Sequence, residues 1–132
     1  MIYIPQQIID GIIAQARNEL PDEACGLLAG NADRVEKQFP LTNVDHSPEH
    51  FSFDPKEQFA ALREARKLGM QIVANYHSHP SSPARPSEED IRLAFDPNII
   101  YLILSLQDAA NPSLKAFSIR EGKVEIIEII IS

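Results

Sequence analysis

The chain has 132 residues, of which 44% are hydrophobic and 23% charged, and a formal net charge of -7. That length fits one domain spanning 1–132 with a core of its own, and the near-average composition excludes a fibre or a disordered tail. The acidic balance, with twelve scattered Lys and Arg, argues against nucleic acid, while a single cysteine excludes a disulfide framework and an internal thiolate zinc cluster.

Taken in order, MIYIPQQIID has neither the basic start nor the apolar stretch of a signal peptide, and no apolar run is long enough to span a membrane. Together with one unpaired Cys25, this sets the expectation of a soluble, cytoplasmic protein in a reducing compartment. Residues 2–4 read as a short strand. Pro5 then opens a helix in which Ile8, Ile9, Ile12, Ile13 and Ala16 form an apolar stripe, core by default. Residues 20–23 end it. The small apolar run 24–30 reads as a strand buried on both faces, followed by a turn at 31–34, a hairpin partner at 35–39 and extended polar chain to Phe53.

Pro55 opens a second helix over 56–68, with Phe59, Leu62, Ala65 and Arg66 at helical spacing and Gly69 as its stop. Residues 70–79 form a strand ending in His-x-His. A third helix starts at Ser87 and carries Ile91, Leu93, Ala94 and Phe95. Residues 99–106 read as a central strand, and 114–120 with 124–131 as a terminal hairpin about Glu121-Gly122. Strands mixed with three helices imply an α/β sandwich around a mixed, mostly antiparallel sheet.

The chemistry gathers in NYHSHPSSPARPSEED, residues 75–90. In a strand His77 and His79 point to one face, so two imidazoles converge. Pro80, Pro83 and Pro86 force a loop, and Asp90 falls in the first turn of the helix that follows. Two histidines and one carboxylate suit a catalytic zinc site with one open position, in which a bound water's pKa drops from about 15.7 to roughly 7. Read singly, each fragment is ordinary: His-x-His arises by chance, and Ser-x-x-Asp before apolar residues is also a helix capping box. Ser87 fits both roles, since a hydroxyl held at a helix start could also meet a reacting oxygen.

In Glu23, the run Cys25-Gly26-Leu27-Leu28 and residues 77–90, the chain resembles the JAMM (MPN-plus) zinc metallopeptidases, and the likeness extends along nearly its whole length. The family pattern is an early glutamate, then His-x-His, seven residues, Ser, two residues and Asp. The resemblance implies one Zn²⁺ held by His77, His79 and Asp90, with Glu23 as the base acting on the water and Ser87 stabilising the oxyanion. It also implies a fold like that of the cytidine deaminases. The implied substrate is a ubiquitin-like or sulfur-carrier protein, cut after its C-terminal Gly-Gly. With little room for insertions at 53–55 or 95–99, the chain is similar to the compact prokaryotic branch.

Other residues read more plainly. His46 and His50 are loop residues, Cys25 a buried inert thiol, and Glu88 and Glu89 favour the helix start. Ser81 and Arg85 lie on the loop rim, and Asn75 or Tyr76 could line a cleft or simply pack. The competing function class is a non-catalytic scaffold of the same fold, which a zinc measurement separates from the enzyme. A phage-tail or cell-wall peptidase is the other alternative. A zinc deaminase needs Pro-Cys-x-x-Cys, which one cysteine rules out. Oligomeric state is left open, a homodimer included.

Overall fold

The computed structural model describes all residues, 1–132. Eight strands and three helices follow in the order β1 (Ile2–Ile4), α1 (Gln6–Glu19), β2 (Cys25–Asn31), β3 (Arg34–Leu41), α2 (Pro55–Lys67), β4 (Gln71–His79), α3 (Glu88–Arg92), β5 (Ile100–Ser105), β6 (Ser113–Arg120), β7 (Lys123–Ile127) and β8 (Ile129–Ile131). They form one mixed sheet of order β7-β6-β5-β4-β2-β3-β1-β8, in which four of the seven pairings are antiparallel. The parallel pairs are β4 with β5, β1 with β3 and β1 with β8. This is the expected mixed α/β architecture. No helix is long and apolar enough to cross a membrane.

The terminal hairpin departs from expectation. The second arm breaks at Glu128: β7 pairs with β6, whereas β8 pairs with β1 at the far end of the sheet, and Ile2 N–H donates to the Glu128 carbonyl at 2.9 Å. Laid flat, seven inter-strand steps would set β7 and β8 about 34 Å apart. A single linking residue spans only about 3.5 Å. The sheet therefore rolls until its two ends meet, and α1 packs inside the curl.

Ile9, Ile12 and Ala16 of α1 join Ile2, Ile4, Leu28, Ala74, Tyr76, Leu102 and Leu104 in the main core. The stripe predicted for α1 is thus its buried face, with Ile8 and Ile13 at the margin. The opposite face of the sheet is covered in two patches. Cys25, Leu27 and Leu41 pack with Ala61 of α2, and Tyr101, Ile103, Phe117 and Ile119 pack with Ala84 and, at their edge, Ile91. His77 lies on this second face, between the patches. Strand β2 is buried on both faces as its small residues suggest, and at Gly26 a side chain would collide with the Tyr76 hydroxyl and, at 2.6 Å, the Phe39 carbonyl.

Two helices differ in detail from their sequence reading. In α2 the inward residues are Ala61 and Ala65, while Phe59 and Leu62 stay exposed. Gly69 stops it with a left-handed backbone, φ 74°. Helix α3 is five residues long, so Leu93 caps it and Phe95, 81% exposed, lies beyond it instead of on a continuing apolar face.

Candidate metal centre

The His-x-His pair sits at the carboxyl end of β4, beside the carboxyl end of its parallel neighbour β5, where α/β sheets open a crevice. Pro80 ends the strand, and the loop returns to α3 at Ser87. Here the chain forms a reciprocal capping box: Ser87 Oγ accepts from the Asp90 amide at 3.0 Å, and Asp90 Oδ2 accepts from the Ser87 amide at 3.0 Å. The box aims Asp90 back at the strand end. The His77 Nε2 to His79 Nε2 distance is 3.1 Å, and Asp90 Oδ2 lies 3.2 Å and 3.1 Å from these two atoms. Three ligand atoms of a tetrahedral zinc site with bonds of about 2.0–2.1 Å sit about 3.3 Å apart. The near-equilateral triangle fits that edge, and the three residues form a group that could hold a metal ion.

The ring nitrogens are set for this. His79 Nδ1 lies 2.9 Å from the Pro83 carbonyl, which can only accept, so Nδ1 carries a proton and Nε2 is the ring nitrogen turned to the centre. Phe51 stacks on the His77 ring at 4.6 Å and 27°, fixing its plane. Burial drives the His77 pKa below the ordinary value despite the pull of Asp90. Burial acts the same way on His79, but Asp90 and the Pro83 carbonyl outweigh it and hold that pKa above the ordinary value. For Asp90 burial is again opposed, here by His77 and His79, and its carboxyl stays well below the usual range.

Glu23 lies two residues before β2. Cys25 pairs with His77 in the antiparallel ladder, so Glu23 falls opposite His79 and on the same face. The extension of the ladder is real, since the Ser78 amide donates to the Ala24 carbonyl at 2.9 Å and the Ala24 amide donates to Ser78 Oγ at 2.8 Å. Glu23 is 3% exposed, and burial pushes its carboxyl up to about 8, with His79 opposing the rise. Its Oε1 is buried without a hydrogen-bond partner. An unpartnered buried carboxylate oxygen on the face of the triad is a place for an acceptor of a proton from a ligand in the cleft.

Beside His77 and Asp90 opens a cleft of about 300 Å³, walled by Phe51, Phe53, Leu93, Phe95, Tyr101 and Ile103. Asn75, two residues before His77, lines it with its Oδ1 unpartnered. Ser81, Arg85 and Ser87 are exposed, and none of the three lines the cleft. The remaining candidates fall outside the centre. His50 pairs with Asp45 at 3.0 Å, His46 adopts a turn with φ 46°, Tyr76 bonds to Gln15 and Gln38 on the α1 side, and the buried Cys25 thiol is pushed up to about 12 by desolvation. Phe51, Ser78 and Asn43 were not singled out from the sequence. Ser78 carried a signal, because a hydroxyl in a strand buried on both faces needs a partner; Phe51 sits in a polar loop that carries none.

A family model described as prokaryotic homologs of the JAB domain matches residues 5–120. The CysO-cysteine peptidase of Mycobacterium tuberculosis is 35% identical over 126 residues, covering 94% of this chain and 86% of that protein. Among solved structures, a protein of Desulfitobacterium hafniense is 48% identical with TM-score 0.93, covering 100% of this chain and 93% of that one. A JAB1/MPN domain protein of Archaeoglobus fulgidus is 25% identical with TM-score 0.69, covering 99% and 97%. The His-His-Asp triangle at the end of β4, the rolled mixed sheet and these matches place the chain in one family: it belongs to the prokaryotic JAB-domain branch of the JAMM/MPN proteins.

Proposed function

We propose that this chain is a zinc-dependent peptidase that cuts after the C-terminal Gly-Gly of a ubiquitin-like or sulfur-carrier protein. The observation that carries the reading is the triangle of His77, His79 and Asp90 atoms with 3.1–3.2 Å edges. The peptidase activity named for the M. tuberculosis relative supports it. Held by His77, His79 and Asp90, zinc would supply a Lewis acid for the scissile carbonyl and a water of pKa about 7, and its charge would offset the desolvation that raises the Glu23 carboxyl.

The chain's own residues do the rest. The buried Glu23 carboxylate takes the proton of the attacking water through its unpartnered Oε1 and returns it to the leaving amine. Ser87 accepts from the Asp90 amide through its oxygen, which leaves its hydroxyl proton to donate to the oxyanion. Pro83 keeps a proton on His79 Nδ1, so Nε2 is the atom of this ring that would hold the metal. Phe51, Phe53 and Tyr101 give the cleft apolar walls beside the bond to be cut.

A Gly-Gly tail offers no side chain to fill a pocket, so it must be read as extended backbone in a narrow cleft, with larger residues excluded. The test offers a ubiquitin-like partner ending Gly-Gly-X beside versions ending Ala-Ala-X and Gly-Ala-X. The reading predicts cleavage of the first alone. Equal cleavage of all three would contradict a Gly-Gly substrate.

A further inference from the structure

Asn43 is 4% exposed, lies just after β3, and is neither a member of the triad nor a lining residue of the cleft, yet its side chain makes more hydrogen bonds than any group at the centre. Its Nδ2 donates to the Glu23 carbonyl at 3.0 Å and to the His50 carbonyl at 3.0 Å, with the Ser47 carbonyl at 3.4 Å. Its Oδ1 accepts from the Asp45 amide at 3.0 Å and the Ser52 amide at 3.3 Å. One amide side chain thus uses all its hydrogen-bonding capacity on backbone. The Ser47 carbonyl it approaches also accepts from the Glu23 amide at 2.9 Å. Both backbone polar groups of Glu23 are therefore tied to Asn43 or to the loop it folds.

That loop reaches the metal centre from the other side. His50 and Ser52, both held by Asn43, bracket Phe51, the ring stacked on His77. Ser52 Oγ donates to Asp45 Oδ2 at 2.8 Å and His50 Nδ1 lies 3.0 Å from the same atom, closing the loop on itself. Glu23 stands before β2, and Phe51 comes 28 positions later in the sequence. No other side chain in the hydrogen-bond network joins Glu23 to the residues that flank Phe51.

We propose that Asn43 is the positioning residue of this centre, fixing the spacing between the carboxylate of Glu23 and the ring of His77. The inference rests on the functional reading above for what that spacing achieves. It predicts a split between the two halves of the amide. Asp at 43 keeps the oxygen that accepts from Asp45 and Ser52 but cannot donate to the Glu23 and His50 carbonyls, whereas Ala loses both.

The test compares wild type with Asn43→Asp and Asn43→Ala, by amide hydrogen exchange at Glu23, by bound zinc per chain, and by kcat and KM on the Gly-Gly-X partner. Where Asn43→Ala yields no folded protein, Asn43→Asp carries the test. Expected are one retained equivalent of zinc, at least tenfold faster exchange at Glu23, kcat lower by about 10- to 100-fold and KM within about threefold, since a misplacement of about 1 Å costs that much. Asn43→Asp with wild-type exchange, or with faster exchange but wild-type kcat, would overturn the inference while leaving the enzyme reading intact. Wild-type protein that holds zinc at no equivalent and cleaves nothing would overturn the functional reading, and this inference with it.

Discussion

Glu23 is one of nineteen acids, and no feature of its own neighbourhood in the sequence marks it; it is set apart by the ladder that puts it opposite His79 and by a burial that leaves Oε1 unpartnered. Glu23→Gln keeps the size and removes the base, so zinc content should stay at one equivalent while turnover falls by roughly 10²-fold or more. Turnover near wild type would assign the proton transfer to another residue. The same burial predicts a pH effect in chelator-stripped protein. Between the ordinary carboxylate range and about 8, folded Glu23 keeps a proton that the unfolded chain has released, so stability falls as pH rises through that window. Denaturant titrations should show Glu23→Gln gaining on wild type from pH 5 to pH 8, by on the order of a few kcal/mol at the top. A constant difference across that range would mean the carboxyl is not desolvated. Asn43 and Phe51 were not legible at this scale, because their importance lies in partners far along the chain: the Asn43 amide bonds Glu23, and Phe51 stacks on His77.

Helix α3 is short, and its capping box decides where Asp90 points. Ser87 therefore has two separable jobs, and substitutions can divide them. Glycine is nearly as good a cap as serine, costing a few tenths of a kcal/mol, but has no hydroxyl. Ser87→Gly should leave stability and zinc content near wild type while turnover drops about 10²- to 10³-fold, and Ser87→Thr should restore most of it. If Ser87→Gly turns over normally, the serine only caps the helix. This element was legible because Ser-x-x-Asp, prolines and apolar residues are local signals. The orientation of α2 was less so. Phe59 and Leu62 share helical spacing with Ala65, but small Ala61 and Ala65 are the residues turned inward, Ala61 against Cys25 and Leu27 of β2, and the larger residues stay outside. Which apolar side of a helix is turned inward depends on the space its partner leaves, and that is not a local property.

Over the whole molecule, the rolled sheet brings β8 to β1 and closes the core on α1. The isoleucine-rich segment 124–131, with Glu125 and Glu128 inside it, reads as one hairpin arm; the break at Glu128 comes from pairing with β1, more than 120 residues away, which the segment itself does not encode. Removing residues 129–132 should cost on the order of 2–4 kcal/mol of stability, because Ile129 leaves the core and β1 becomes an edge. Zinc binding should survive in the folded fraction, since the triad lies on β4 and α3 at the other face. Loss of zinc from well-folded truncated protein would show that the two faces are coupled. The central claim, that His77, His79 and Asp90 hold a catalytic zinc, is tested most directly by zinc content per chain in wild type and His77→Ala, with circular dichroism to confirm folding. The prediction is one equivalent in the wild type and none in folded His77→Ala; a full equivalent in that variant, or none in the wild type after refolding with zinc, would contradict it.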